Sequence, residues 1–323
     1  MKRVLQYLKP YKKWLIVGPT LKLLEAIIEV LLPVIIAEII DNVTEYSQIN
    51  IIYKGIFMFI LITLGLISAI SSQYIAVKTS QGYALTLRNK LFEHISKLSN
   101  SQLQSFGTSA LSNRLTYDVN QLELAVTMFI RLVIRVPFIC ISSLVMTFII
   151  NEKLGFIMLS TIVLFSISIY IIIKLSTPLY KKSNECLDKL LLHVKENLIN
   201  ARLVRSFVEN RKEQEKFDKL NLQTGNFALK ANILSLFLNP LTTIILNIGI
   251  VTIIYFGRLQ INTSLLSQGE LIAVINYFNQ ILIAILVLSN LIIIYTKAFV
   301  SAKRVEEIFN KVPNMVSRKR LQV

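Results

Sequence analysis

The chain has 323 residues, 54% hydrophobic and 17% charged, with a formal net charge of +16 and a mean hydropathy of +0.59. A soluble domain runs near 25% charged residues, so this composition argues against a water-covered globular body, and ten glycines with seven prolines argue against collagen-like, linker-rich or Gly-rich nucleotide folds. Cys140 and Cys186 lack ligand-like spacing, so neither a disulfide framework nor a metal site follows, and the basic charges alternate with apolar blocks instead of forming a nucleic-acid-binding face.

In chain order, residues 1–13 read as an interfacial amphipathic helix, with Val4, Leu5 and Leu8 opposite the lysines and Trp14 at the boundary. Six apolar stretches follow: 14–40, 51–76, 127–150, 154–175, 233–255 and 271–295. Each is long enough, at about 1.5 Å per residue, to cross a hydrocarbon core of about 30 Å. Between them, segments 78–126 and 176–232 contain almost no glycine or proline and keep helical apolar spacing, so they are expected to form helical hairpins beyond the membrane. The expected fold is all-α, a polytopic membrane protein with six transmembrane helices and two long cytoplasmic hairpins. The expected organisation is 1–13 as the interfacial helix, 14–310 as the membrane domain and 311–323 as the start of a linker.

Lysine and arginine set the orientation. The N-terminal segment holds five, the first hairpin five, the second eleven and the C-terminal tail seven, whereas the short connections and their flanks hold only Lys54, Lys153 and Arg258. The positive-inside rule places both termini and both hairpins in the cytoplasm, in a multi-pass protein of the cell membrane.

The first stretch carries Lys22, Glu25 and Glu29 at spacings of three, four and seven, which puts them on one helical face. Central membrane charges cost roughly 2.5–3.5 kcal/mol each, so this face should turn to protein or water. One reading is a polar wall of a transport cavity whose acids favour cationic or amphipathic substrates. The other is an ion pair of Lys22 with Glu25 or Glu29 that only fixes packing. Arg131 and Arg135 share a face at the start of the third stretch. Either they snorkel to headgroups or pair with a neighbouring span or second subunit, or they serve the substrate cavity. His94 and His193 are expected to be solvated, and no hydroxyl–His–carboxylate arrangement suggests a hydrolytic site.

Four strings carry a family resemblance. The run Thr108–Val119, TSALSNRLTYDV, resembles "G-x-L-x-x-R-x-x-x-D-V", with Ser109 where glycine is usual. Arg131–Pro137 resembles "R-x-x-x-R-x-P", and Glu196-Asn197-Leu198 with Ala201–Phe207 resembles "E-n-L-x-G-i-R-v-V-r-a-F". Ser301-Ala302-Lys303-Arg304-Val305 resembles "S-A-x-R-i". In this order on six spans they resemble the membrane domain of ATP-binding-cassette exporters, more narrowly a half of the bacterial heterodimeric multidrug exporters. The resemblance implies a second transmembrane half, a nucleotide-binding domain carrying ATP and Mg, and outward movement of drugs or other amphipathic compounds by alternating access. It also implies coupling to the ATPase through Ser109, Leu111, Arg114, Asp118, Ala201, Arg205 and Phe207.

No G-x-x-x-x-G-K-[ST] loop occurs, so this chain is expected to be a transport subunit without cofactors of its own, not an ATPase. An excerpt, an interrupted gene and a subunit with a separate ATPase all remain open. The alternatives from other classes are a non-transporting scaffold or regulatory membrane partner and an ion-coupled carrier using Glu25 and Glu29. The carrier is disfavoured by the absence of an internal repeat.

Overall fold

A computed structural model describes residues 2–43, 48–200 and 210–312. Among these residues every regular element is helical: α1 (Lys2–Gln6), a 3₁₀ turn (Lys9–Tyr11), α2 (Lys12–Asp41), α3 (Gln48–Ile95), α4 (Asn100–Phe106) and α5 (Thr108–Asn113). A π turn (Arg114–Asp118), α6 (Val119–Met128) and a second π turn (Phe129–Val133) lead into α7 (Arg135–Ile150). Then come α8 (Glu152–Ile199), α9 (Asn210–Leu236), α10 (Leu238–Asn262) and α11 (Gln268–Asn310).

The helices begin and end where local chemistry provides for them. Ser99 with Gln102, and Ser267 with Glu270, form reciprocal capping boxes at the starts of α4 and α11. Asn151 turns α7 into α8 in one residue, its side-chain oxygen accepting from the Lys153 and Leu154 amides at 3.1 and 3.2 Å. Gly107, between α4 and α5, has φ 78°, a conformation a side chain would strain. Ser109 lies one residue inside α5, in helical backbone that makes no demand for glycine.

Among the described residues, five helical stretches are long and apolar enough to cross a membrane: Ile49–Ile95, Thr108–Ile150, Glu152–Ile199, Arg211–Asn262 and Gln268–Asn310. The 30-residue α2 is long enough too, but Lys22, Glu25 and Glu29 near its middle keep it out of that group. Helices α3 and α8, at 48 residues each, are about 72 Å long, more than twice a hydrocarbon core of about 30 Å.

The chain divides into two compact units, Met1–Gly155 with Phe256–Val323, and Phe156–Tyr255. In the first, one apolar cluster joins α1, α3, α6 and the end of α11 through Val4, Tyr83, Leu87, Val119, Val305 and Ile308. A second joins α2, α7 and α11 through Ala26, Val136, Ile139, Ala284 and Leu291. Along α3, Ile52, Phe59, Ile67 and Tyr74 are exposed, a surface suited to lipid contact. In the second unit, α8 and α9 run antiparallel. The Tyr180 hydroxyl donates to Asn232 Oδ1 at 2.9 Å, and His193 meets Glu213, 3.4 Å from its carboxylate.

Two expectations need correction. The N-terminal segment is not one amphipathic helix: α1 stops at Gln6, and Lys9-Pro10-Tyr11 forms a 3₁₀ turn before α2, because proline fixes the backbone there and supplies no N–H. Val4 is buried but Leu5 is 53% exposed. His193, expected to be solvated, is 3% exposed, because the fold-back of α9 onto α8 encloses it and supplies the Glu213 acid.

Candidate functional site

The first π turn places Arg114 and Asp118 against the far end of α11. Asp118 is fully buried and its Oδ1 accepts from the Ser301 hydroxyl at 2.7 Å, with Arg304 Nη1 3.7 Å away. Its other oxygen, Oδ2, is enclosed without a hydrogen-bond partner. Arg114 donates from Nη2 to Glu307 Oε2 at 2.9 Å and lies 4.9 Å from the centre of the Phe106 ring. Leu111 is buried in the apolar cluster beneath them, and Ser109 is exposed on α5. Thus two motif strings nearly two hundred residues apart form one joint.

The same end of α11 is bound by the N-terminal segment and by α3. Arg3 Nη1 donates to the Phe309 carbonyl at 2.5 Å, and Tyr7 and His94 bring their rings to 5.9 and 5.5 Å from that of Phe309. His94 Nε2 donates to the Lys311 carbonyl at 2.9 Å, and Gln102 Nε2 to that of Val312 at 2.9 Å. A helix C-terminus leaves carbonyls without donors and carries partial negative charge, so Arg3 meets a hydrogen-bonding and an electrostatic need there. Burial pushes the Tyr83 phenol above its ordinary range, and its hydroxyl donates to the Val4 carbonyl at 3.4 Å. Among the described residues no group of His, Cys, Asp and Glu could hold a metal ion; the contacts of the joint hold α11, the first hairpin and the N-terminus in one register.

The second group of sequence-predicted residues lies along α2 and α7. Lys22 Nζ donates to Glu25 Oε2 at 2.5 Å, and both side chains are largely buried. Arg135 Nη2 donates to Glu29 Oε2 at 2.7 Å, with its Nε 3.9 Å from Glu25 Oε1. Arg135 from α7 therefore spans both acids, closest to Glu29, while Lys22 from the same helix takes Glu25. The network continues toward α11: Gln280 Nε2 donates to the Glu29 carbonyl at 3.2 Å, and the Ser143 hydroxyl to Gln280 Oε1 at 3.2 Å. Arg131, on the second π turn, is not brought to either acid.

Of the predicted coupling residues, Ala201, Arg205 and Phe207 lie outside the described residues. Sequence reasoning missed the roles of Ser301 and Arg304, although their string was noticed, and of Glu307 two residues beyond it. The usable signal was complementary charge, with Arg114 and Asp118 in one motif set against Glu307 and Arg304 beside the other. It also missed Asp41, whose carboxylate accepts from the Gly269 amide at 2.7 Å and the Ser267 hydroxyl at 2.5 Å at the opposite end of α11.

The sequence matches the family model described as ABC transporter transmembrane region over residues 15–311. It is 29% identical over 306 residues to the uncharacterized ABC transporter ATP-binding protein MT1311 of Mycobacterium tuberculosis, covering 94% of this chain and 53% of that protein. It is 28% identical over 309 residues to the uncharacterized ABC transporter ATP-binding protein YfiB of Bacillus subtilis, covering 95% and 54%. With the ABC transporter B family member 1 of Dictyostelium discoideum the identity is 24% over 329 residues, covering 100% and 36%. The chain spans about half the length of the first of these relatives.

Proposed function

Because this chain belongs to the ABC transporter transmembrane region family, we propose that it is the membrane half of an ATP-driven exporter that moves drugs or other amphipathic compounds outward by alternating access. Hydrolysis belongs to a nucleotide-binding domain carrying ATP and Mg, since no phosphate loop occurs in these residues. A second transmembrane half completes the pathway, and a heterodimer is the assembly we favour. Both termini face the cytoplasm of a bacterial cell. Lys22, Glu25, Glu29, Arg131 and Arg135 belong to the polar wall of the translocation path, and residues 311–323 lead toward the ATPase.

The observation that supports this reading best is the joint of Arg114 and Asp118 with Ser301, Arg304 and Glu307. In an exporter, force from an ATPase beneath the hairpin tip has to reach a spanning helix, and a fully buried carboxylate linking the two is a direct route. The test is reconstitution of the full-length protein with its ATPase-bearing partner and measurement of ATP-driven uptake of a fluorescent amphipathic dye into inverted vesicles. Asp118→Asn is expected to slow dye uptake about tenfold, within the span of typical coupling energies, while hydrolysis continues. Unchanged uptake per ATP would remove the joint from the transmission route. Absence of ATP-driven uptake by the unaltered protein would favour the scaffold reading.

A further inference from the structure

The intramembrane charge cluster holds one base too many. Glu25 is engaged by Lys22, and Glu29 by Arg135, but Arg131 makes no ion pair or hydrogen bond among the described residues. Its Nε is enclosed without a partner. The second π turn, which carries it, packs against α2, α3, α6 and α7, and every acid on those helices is engaged elsewhere. On α2, besides Glu25 and Glu29, Glu38 pairs with Lys54, and Asp41 holds the start of α11. On α3, Glu93 is taken by Lys90 and Lys97, and on α6 Glu123 by Arg88. No acid lies on α7.

The π turn explains why the two arginines diverge. At four-residue spacing in a plain α-helix, Arg131 and Arg135 would stack on one face and share the same acids. The wider turn at Phe129–Val133 carries Arg131 and ends before Arg135, which offsets the two side chains, and only Arg135 reaches Glu29. A guanidinium stays charged at any accessible pH, so in a low-dielectric setting Arg131 has to be matched by an anion. Its planar donor set suits the two oxygens of a phosphate or carboxylate. The neighbouring Phe129 and Ile134 are each 40% exposed, which makes the approach apolar. A free inorganic ion would have to be stripped of water there, whereas an amphiphile brings a tail that matches these neighbours and a head that matches the arginine.

We propose that Arg131 anchors the anionic head, phosphate or carboxylate, of an amphiphile at the start of the third spanning helix. This rests on reading the chain as membrane-embedded and deepens the transport reading: the unmatched charge of the path is positive, so its preferred amphiphile is an anion.

The test uses full-length protein purified in neutral detergent and stripped of lipid, with thermal melting followed on addition of four probes. These are phosphatidylglycerol, dodecyl phosphate, inorganic phosphate and, as a zwitterionic control, phosphatidylcholine. Phosphatidylglycerol or dodecyl phosphate is expected to raise the melting temperature more than phosphatidylcholine does. Arg131→Gln should raise the half-maximal concentration about tenfold or more, and Arg131→Lys should fall between. Lys303→Gln should behave as the unaltered protein. A response to phosphatidylglycerol alone identifies a bilayer lipid as the source; a response that includes dodecyl phosphate identifies a free amphiphile. Equal responses to the anionic and zwitterionic probes, an equal effect of inorganic phosphate, or an Arg131→Gln protein that responds like the unaltered one would each overturn the proposal. If Arg131→Gln does not fold, Arg131→Lys and the probe comparison on unaltered protein still decide it. No ATP enters this assay, so its failure leaves the exporter reading standing, and a failure of ATP-driven dye uptake leaves the headgroup site standing.

Discussion

The two ends of α11 are held by different means. At its Gln268 end one carboxylate, Asp41, caps the helix start, and the backbones touch directly: a β-carbon on Gly269 would lie 2.2 Å from the Ala37 carbonyl oxygen. At its Asn310 end, among the described residues, five side chains from α1, α3, α4 and the first π turn hydrogen-bond to it or to the two residues after it: Arg3, His94, Gln102, Arg114 and Asp118. Backbone contact has one geometry and no slack, whereas side-chain pairs, several of them partly exposed, can part and form again. The lesson is that a helix can be pinned at one end and adjustable at the other, and the adjustable end here is the one that meets the hairpin.

The sharpest way to break this contrast is Gly269→Val. The clash is with backbone, so α11 has to shift, and we expect a loss of about 3 kcal/mol, the upper part of the range for overpacking, seen as a lower melting temperature in detergent. A melt within a degree of the unaltered protein would show that the pinned end has slack. Next comes Asp118→Ala, which strands the buried Ser301 hydroxyl and removes a partner of Arg304 but also the unsatisfied Oδ2. A loss of about 1–3 kcal/mol is expected in the same melt. Smaller again is the Arg114–Glu307 pair, whose acid is 59% exposed. A double-mutant cycle with Arg114→Gln and Glu307→Gln should give a coupling of about 0.2–1 kcal/mol, shrinking in high salt. A salt-independent coupling would mean that this contact is as rigid as the one at Gly269.

The smallest effect is a pH dependence beside His94. Hydrogen bonds from Lys97 and then Lys90 lower the Glu93 carboxyl from 4.5 to about 2. A lowered folded-state value means that the contribution of these pairs is fully present above about 4.5 and fades as pH falls toward about 2. Glu93→Gln should therefore leave melting between pH 6 and 8 slightly and uniformly lower, and flatten the decline in acid. A change in slope near neutral pH would point to another group.

Much of the architecture was legible because long apolar runs and scarce glycine report directly on helices long enough to cross a membrane. The interior of the candidate site was less so. Spacing on α2 correctly put Lys22, Glu25 and Glu29 on one face, and Lys22 does pair with Glu25, but nothing in the spacing shows that Arg135 takes Glu29, since that depends on how α2 and α7 pack. The strings around Asp118 and Ser301 were each recognised, yet their union is a tertiary fact. His193 misled for the same reason: charged neighbours in sequence suggested water, while Glu213 on the antiparallel α9 meets it.

The length of α3 has a mechanical meaning. An unbroken 48-residue helix without proline, about 72 Å long, leaves about 40 Å beyond a hydrocarbon core of about 30 Å. As a lever with its fulcrum at the bilayer surface, such an arm tilted by about 10° displaces its tip by about 7 Å, more than one helical turn of 5.4 Å. The arm inside the core, about 30 Å, moves by about 5 Å in the opposite sense, so membrane and hairpin are two ends of one rigid beam with strokes of similar size.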